Sequence, residues 1–399
     1  MPHEPREDLM SHVCVVGAGP VGLTTALGLA VAGLDVTVLE RDRDLQRASR
    51  ALVHQSHTLE GFRPLGVLDE IVQQGIPLLG RDFVVLQTGE RIRHQAPVNG
   101  VGTEAACNLI LRQDALVRIL AGELARYPHV KVLTNHQVDE IDQRDDVVHV
   151  GAAGPSGRLN VTAEWVIGTD GARSAVRNAL NLEFPGFTWP DQFVATDIRC
   201  DLEKYGYANA NFLIDPQDGA IVVRIDRTDL WRVTFTEDAV QPESSISDRV
   251  HGYLRRVLPS GAAYEVVHHS PYRAHQRAAE TFRVGRVLLA GDAAHATNPT
   301  GGMGLTSGLH DAFMLSEAIS SVVAGSCDEQ ILDRYSRTSR QAFLEQISPM
   351  ASDLKRLVFD LSDGELRDQK IEGLRRAASG GAQLARLQNL KSMTPMSVV

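Results

Sequence analysis

Gly17, Gly19 and Gly22 carry the most specific chemistry in the chain. They follow an apolar run, residues 12–16, in the order G-x-G-x-x-G, and residues 23–32 after them have helical character. This is the strand-turn-helix setting that a dinucleotide fingerprint requires. Gly17 permits the tight turn, Gly19 lets the backbone approach a pyrophosphate, and Gly22 lets the helix pack on the strand. Helix amides and dipole then face the phosphates, with Pro20 and Val21 inside the same turn. Glu40 closes a second apolar strand 18 residues past Gly22 and is followed by Arg41. A carboxylate there accepts hydrogen bonds from ribose hydroxyls and repels a 2′-phosphate, so FAD or NAD is expected over NADP.

These residues must be carried by a fold large enough to hold them. At 399 residues the chain exceeds the usual size of a single core, so two connected domains are expected. Hydrophobic content of 43% and charged content of 23% place it among ordinary globular proteins. The net charge of −10 gives no basic patch for nucleic acid or an anionic membrane. No apolar run reaches membrane-spanning length, and residues 1–8 are polar and acidic, so a cytoplasmic protein is expected. A homodimer is left open. Cys14, Cys107, Cys200 and Cys327 are scattered without a C-x-x-C pair, which points away from a metal site or a disulfide framework.

Along the chain, residues 58–65 read as a helix stopped by Gly66, and residues 83–86 and 91–94 as a hairpin around Thr88, Gly89 and Glu90. Arg112, Gln113 and Asp114 open a helix running to about residue 127. Residues 130–133, 136–141, 147–152 and 159–162 alternate like a small antiparallel sheet. A buried strand follows and runs into Thr169, Asp170 and Gly171. From residue 184 to about 277 the texture is strand-like. The style of a core strand returns at 286–290, ahead of Gly291, Asp292 and His295, a loop from Pro299 to Gly304, and a strong helix over 305–323.

Read in order, G-x-G-x-x-G, then T-D-G-A-R-S, then G-R-V-L-L-A-G-D-A-A-H with P-T-G-G-M-G-L resembles the flavoprotein aromatic hydroxylases of the para-hydroxybenzoate hydroxylase type. The resemblance is strong for the flavin half and weak for residues 184–275. It implies an α/β fold, with a Rossmann-like FAD-binding domain interleaved with a β-sheet substrate domain and a helical carboxyl terminus. The expected division gives 1–80, 101–183 and 276–345 to the FAD-binding domain. Residues 81–100 and 184–275 go to the substrate sheet, and 346–399 to a C-terminal helical segment.

The resemblance also implies roles. Gly17, Gly19, Pro20, Val21 and Gly22 would hold the FAD pyrophosphate, and Glu40 with Arg41 the adenosine end. Arg112 and Gln113 would meet the ribityl chain. Asp170 would support the cofactor regions, and Gly291 with Asp292 the ribityl or pyrophosphate side. Pro299, Gly301, Gly302, Met303, Gly304 and Leu305 would border the isoalloxazine ring. Arg50 would stand beside the flavin and receive nicotinamide phosphates. Arg50, Pro299 and His295 are the catalytic candidates, the histidine reading first as a structural hydrogen-bond partner. Thr306 stands where many members carry Asn. The activity implied is hydroxylation of a phenolic or N-heteroaromatic small molecule, with NADH or NADPH as transient donor and dioxygen as oxidant, through a flavin hydroperoxide. The rival is an FAD-dependent reductase or oxidase of a lipid-like or alicyclic substrate. For the substrate itself, Arg224 and Arg232 are candidate carboxylate partners, and Tyr205, Tyr207 and His54 candidate phenol partners.

Overall fold

Two eight-stranded sheets organise the chain, and the computed structural model describes residues 7–45, 51–95 and 107–379. The first is built on the apolar strand Glu7–Val16, whose neighbours Val36–Leu39 and Gly157–Gly168 run parallel to it. Val130–Leu133 and Val287–Leu289 extend the parallel set at either side. Where they are buried on both faces, at residues 13–16, 36–39, 165–168 and 287–289, these strands read as continuous apolar runs. The helix Pro20–Val31 packs on this sheet between the long helix Met303–Val323 and Gln113–Leu124.

Two expectations are corrected here. Residues 130–133 do not join a small antiparallel sheet; Val130–Leu133 is the edge of the parallel one, paired with Val36–Leu39. Residues 159–162 and the buried strand after them are one element, Gly157–Gly168. Its first half pairs antiparallel with Val147–Gly154 and its second half parallel with Val287–Leu289. Alternation over a few residues cannot distinguish these outcomes, because the same strand is half-exposed at one end and buried at the other.

The second sheet runs in the order His295–Ala296, Glu265–Ala278, Gly186–Arg199, Leu230–Asp238, Ala220–Arg224, Ala210–Ile214, Gly80–Val85, Glu90–Gln95. The expected hairpin is present as its last two strands. One face is covered by the helix Ile246–Val257, which lies in a region expected to be strand-like. Its buried Ile246, Val250, Tyr253, Leu254 and Val257 keep helical spacing. The other face carries two separate coverings. Residues 354–374 pack Leu357, Val358, Phe359 and Ile371 against Phe83, Phe193 and Phe212. A small sheet of Val53–His54, Asn108–Ile110 and Ile76–Leu78 packs against Ala210, Val223 and Leu230. The expected helix at 58–65 is shorter, Ser56–Glu60, and turns lead on to Gly66 at φ +75°. Among the described residues no helix is long and apolar enough to cross a membrane.

Candidate cofactor and substrate site

Backbone contacts build the first part of the site. Gly17 has φ +105°, donates its amide to Leu39 O at 2.7 Å, and has no room for a side chain: a Cβ would meet Thr169 O at 2.6 Å. At Gly22 a Cβ would stand 1.9 Å from Gly17 O. Gly19 is the opposite case, with nothing within 4 Å of an added Cβ, so this face of the turn is open. Thr169 donates its hydroxyl to Val16 O and Gly17 O, each at 2.9 Å, and so latches the second motif onto the first. The helix that starts at Pro20 has neither a side-chain cap nor an acidic residue in its first turn, which leaves its amino-terminal dipole uncompensated. Glu40 accepts from the amides of Ala18 at 2.7 Å and Asp42 at 2.9 Å, and the Arg41 side chain is exposed.

Asp170 receives the amides of Ala175 at 2.6 Å and Val176 at 3.2 Å on one oxygen. Its other oxygen is buried without a partner among the described residues, and burial raises the pKa of the carboxyl group. The buried Arg177 donates to Ala172 O and Ala293 O at 2.8 Å each, which ties the second motif to the third.

The third motif lies on the seam of the molecule. The chain leaves the first sheet at Val287–Leu289 and enters the second at His295–Ala296, making a 3₁₀ turn at Gly291–Ala293 between them. Asp292 is exposed on that turn, where no helix begins for it to cap. Asp311, 2% exposed on the long helix, fixes the turn from behind. It accepts from the Gly291 amide at 2.9 Å and from His295 Nε2 at 2.7 Å on one oxygen, and from the Ser339 hydroxyl on the other. His295 is itself 1% exposed, with its ring stacked on Phe343 at 4.6 Å. Val21 of the first motif packs against Gly291 and Gly308, so a Cβ at Gly308 would lie 2.8 Å from Val21 Cγ2.

Pro299–Gly302 form the loop ahead of the long helix, with Gly301 at φ +92° and Gly302 at φ +69°. Gln276 anchors it. The Gln276 carbonyl accepts from Thr297 Oγ1 at 2.8 Å and from Asn298 N and Nδ2 at 2.7 and 3.1 Å, while its amide donates to Ser348 O and Oγ. Thr306 donates its hydroxyl back to Gly302 O at 3.0 Å and spends it within its own helix. Met303 is buried, and Gly304 and Leu305 are half-buried in the first helical turn. Arg112 grips Asp114 at 2.9 Å, and Gln113 accepts from Ala51 N at 3.4 Å. Arg50 lies outside the described residues.

The loop faces the second sheet. A Cβ at Gly302 would lie 3.8 Å from Val53, and one at Gly301 would lie 3.3 Å from Leu354, so the loop lies beside both coverings of that sheet. Ile221 belongs to the margins of both apolar clusters. The interval between the two coverings, bordered by Val53 and Ile76 on one side and by Leu354 and Tyr272 on the other with Ile221 common to both clusters, is the candidate substrate cleft.

The expected polar substrate partners do not converge there. Arg224 is engaged by Glu203 and the carbonyls of Asp226 and Thr228, and Arg232 holds Asp197 through two contacts of 2.7 and 3.0 Å. His54 is buried against Leu111 O, and burial pulls its pKa down to about 4. Tyr207 packs at the margin of the cluster on the sheet's opposite face, and Tyr205 lies under Lys204. Asp311, Gln276 and Arg177 were missed from sequence. Asp311 had one signal, a charge inside the apolar run from Leu309 to Leu315.

An open, uncapped turn at Gly19, a carboxylate beside it, the exposed acid on the seam and a positive-φ loop above an apolar cleft fit an extended dinucleotide whose ring end reaches the second sheet. Among the described residues no cluster of His, Cys, Asp or Glu could hold a metal ion. Residues 10–348 match the family model described as FAD binding domain. The chain is 40% identical over 368 residues to 6-hydroxy-3-succinoylpyridine 3-monooxygenase of Pseudomonas putida, covering 92% of this chain and 94% of that protein. It is 40% identical over 350 residues to para-nitrophenol 4-monooxygenase of a Pseudomonas species, covering 86% of each. The crystal structure of p-nitrophenol 4-monooxygenase from Pseudomonas putida superposes with a TM-score of 0.92 at 38% identity, covering 97% of this chain and 99% of that one. The chain is therefore a member of the FAD-dependent aromatic hydroxylases.

Proposed function

We propose that the protein hydroxylates a small phenolic or N-heteroaromatic ring with NADH or NADPH and dioxygen. One oxygen atom enters the ring and the other leaves as water. The observation that carries this reading is the position of the Pro299–Gly302 loop beside both walls of the apolar cleft, at Val53 and at Leu354. Apolar residues of both walls meet beside the loop, the kind of water-poor setting that oxygen transfer in competition with peroxide release requires. The names of the two relatives pair a monooxygenase with a hydroxypyridine and with a nitrophenol.

When bound, FAD supplies the redox chemistry, accepting a hydride from the donor and activating dioxygen. The chain's own residues position it. Gly17, Gly19, Pro20, Val21 and Gly22 form the turn around the pyrophosphate, with the amides of Gly19, Val21 and Gly22 as its donors, and Glu40 takes the adenosine ribose with Arg41 at the rim. Gly291 and Asp292 meet the central part, supported by Asp170 and by Arg112 with Gln113. Pro299, Gly301, Gly302, Met303, Gly304 and Leu305 border the ring, where helix-start amides favour negative charge. Buried as it is, His295 serves as a positioning residue for the Gly291–Ala293 turn. In this reading, 1–80, 101–183 and 276–345 hold the cofactor, 81–100 and 184–275 cover the substrate, and the C-terminal helical segment 346–399 contributes residues 354–374 to the covering of the substrate sheet. A cytoplasmic setting is supported by the nicotinamide donor and by four free thiols.

The test is donor consumption by the purified holoenzyme across phenols and hydroxypyridines under ¹⁸O₂, with product mass. One labelled oxygen per product is expected. Donor consumption that yields a reduced or dehydrogenated product without label would move the assignment to a reductase or oxidase.

A further inference from the structure

We propose that Arg81 is the anion handle of the substrate cleft, so that the substrate is an aromatic ring bearing an acidic group; this rests on the hydroxylase reading above. Arg81 lies on Gly80–Val85, opposite His94 in the register and on the same face as Phe83. Phe83 stacks on Phe212 at 5.0 Å, and Phe212 pairs with Ile221, common to the two clusters that border the cleft. At standard strand spacings the Cα atoms of Arg81 and Ile221 are about 12 Å apart. A long guanidinium side chain and a single substituted ring together span that gap.

The sheet shows how it treats other arginines that meet a buried or half-buried carboxylate. Asp82 receives Arg93 through two contacts of 2.8 Å on the opposite face, and Arg232 holds Asp197 in the same two-pronged way. Arg81 has no hydrogen bond or ion pair to a side chain among the described residues, yet it is crowded enough that burial lowers its pKa, and it keeps some accessible surface. A desolvated cation without a carboxylate is costly to a fold unless a ligand completes it. The group beside it is already engaged: His94 bonds Leu374 O at 3.0 Å, and burial together with Arg81 lowers its pKa. A planar fork on the face of the sheet that carries Phe83 and Ile221 suits a carboxylate held through two contacts.

The experiment uses the holoenzyme and a matched pair of probes, 4-hydroxybenzoate and 4-hydroxybenzamide, with binding read from the perturbation of the flavin spectrum. Wild type should bind the carboxylate at least tenfold more tightly than the amide. Arg81→Met should erase that preference while leaving the amide affinity unchanged, and Arg81→Lys should keep part of it. Arg81→Met should also unfold at the same or a higher temperature than wild type, because it removes an uncompensated charge. Equal binding of the two probes by wild type, binding of neither, a preference that survives in Arg81→Met, or a lowered unfolding temperature of that variant would each overturn the assignment. Absence of ¹⁸O in products with the anion preference intact would instead remove the hydroxylase reading and leave the handle standing.

Discussion

The two sheets meet at the Gly291–Ala293 turn and hold their working groups in opposite ways. On the proposed cofactor side the glycines set the surface: Gly17 and Gly22 are squeezed against Thr169 O and Gly17 O, and Gly19 is left open. On the substrate side the walls come from four separate segments, at Val53, Ile221, Tyr272 and Leu354, and are made of ordinary apolar side chains. A surface made of backbone tolerates no substitution but is indifferent to the substrate. A surface made of side chains can be changed one residue at a time.

The largest expected effect falls on the backbone side. Gly22→Ala places a methyl group 1.9 Å from Gly17 O and 2.5 Å from Thr169 Oγ1, and neither can move without opening the turn. Overpacking of this kind costs typically about 1 to 3 kcal/mol, and more where backbone is the obstacle. The variant should be recovered as colourless apoprotein or not at all. Recovery with full FAD occupancy would erase the contrast between the two sides.

Next is Asp311→Ala. It leaves the Gly291 amide, His295 Nε2 and the Ser339 hydroxyl buried without their acceptor. At about 1 to 3 kcal/mol for each orphaned group, partly relieved by relaxation, a loss of roughly 3 to 5 kcal/mol in stability is expected. FAD affinity should fall with it, because the Asp292 turn loses its support. Asp311→Asn keeps one acceptor oxygen and should recover part of both. Denaturant unfolding and FAD titration of the two variants check this, and unchanged FAD affinity in the alanine variant would detach Asp311 from the cofactor turn.

What could be read from the sequence follows the same division. The three glycine motifs were legible because a positive φ or a backbone approach admits glycine alone, so conformation leaves a mark on residue type. Asp292 was legible as a polar residue in that frame. Gln276 and Asp311 act through single side chains brought in from a strand and a helix far along the chain, and no local pattern announces them. The Ile246–Val257 helix was hidden among strands because its buried residues had to be counted at a spacing of three and four, and the strand neighbours suggested two. The cleft itself depends on how the segment around Leu354 folds back on Phe83 and Phe212, which is a tertiary fact.

On the substrate side, His54 gives a prediction with a sign. Its pKa is pulled down to about 4 from 6.5 because its ring is buried, so the unfolded chain binds a proton that the folded chain refuses. Stability from this group is fully present above pH 6.5 and is lost as the pH falls through 4. The expected loss between pH 7 and pH 4 is about 3 kcal/mol. His54→Gln should flatten that part of the profile in denaturant unfolding at the two pH values. An equally steep profile in the variant would show that the proton is taken up elsewhere.

The smallest effect tests whether side chains matter at all where the long helix meets the cofactor. Gly302 caps Met303–Val323 in the left-handed region without a side-chain cap, so the first amides of the helix have no acceptor inside it. Thr306 is 4% exposed and its hydroxyl is committed to Gly302 O at 3.0 Å. If backbone alone serves the ring end, Thr306→Val, which keeps the shape and removes the hydrogen bond, should cost about 1 kcal/mol in stability or less. FAD affinity should then stay within about threefold of wild type, the equivalent of roughly 0.6 kcal/mol. A tenfold loss of FAD affinity at unchanged unfolding temperature would mean that the hydroxyl leaves Gly302 O for the cofactor. The cofactor side would then depend on side chains in its last turn, as the substrate side does throughout.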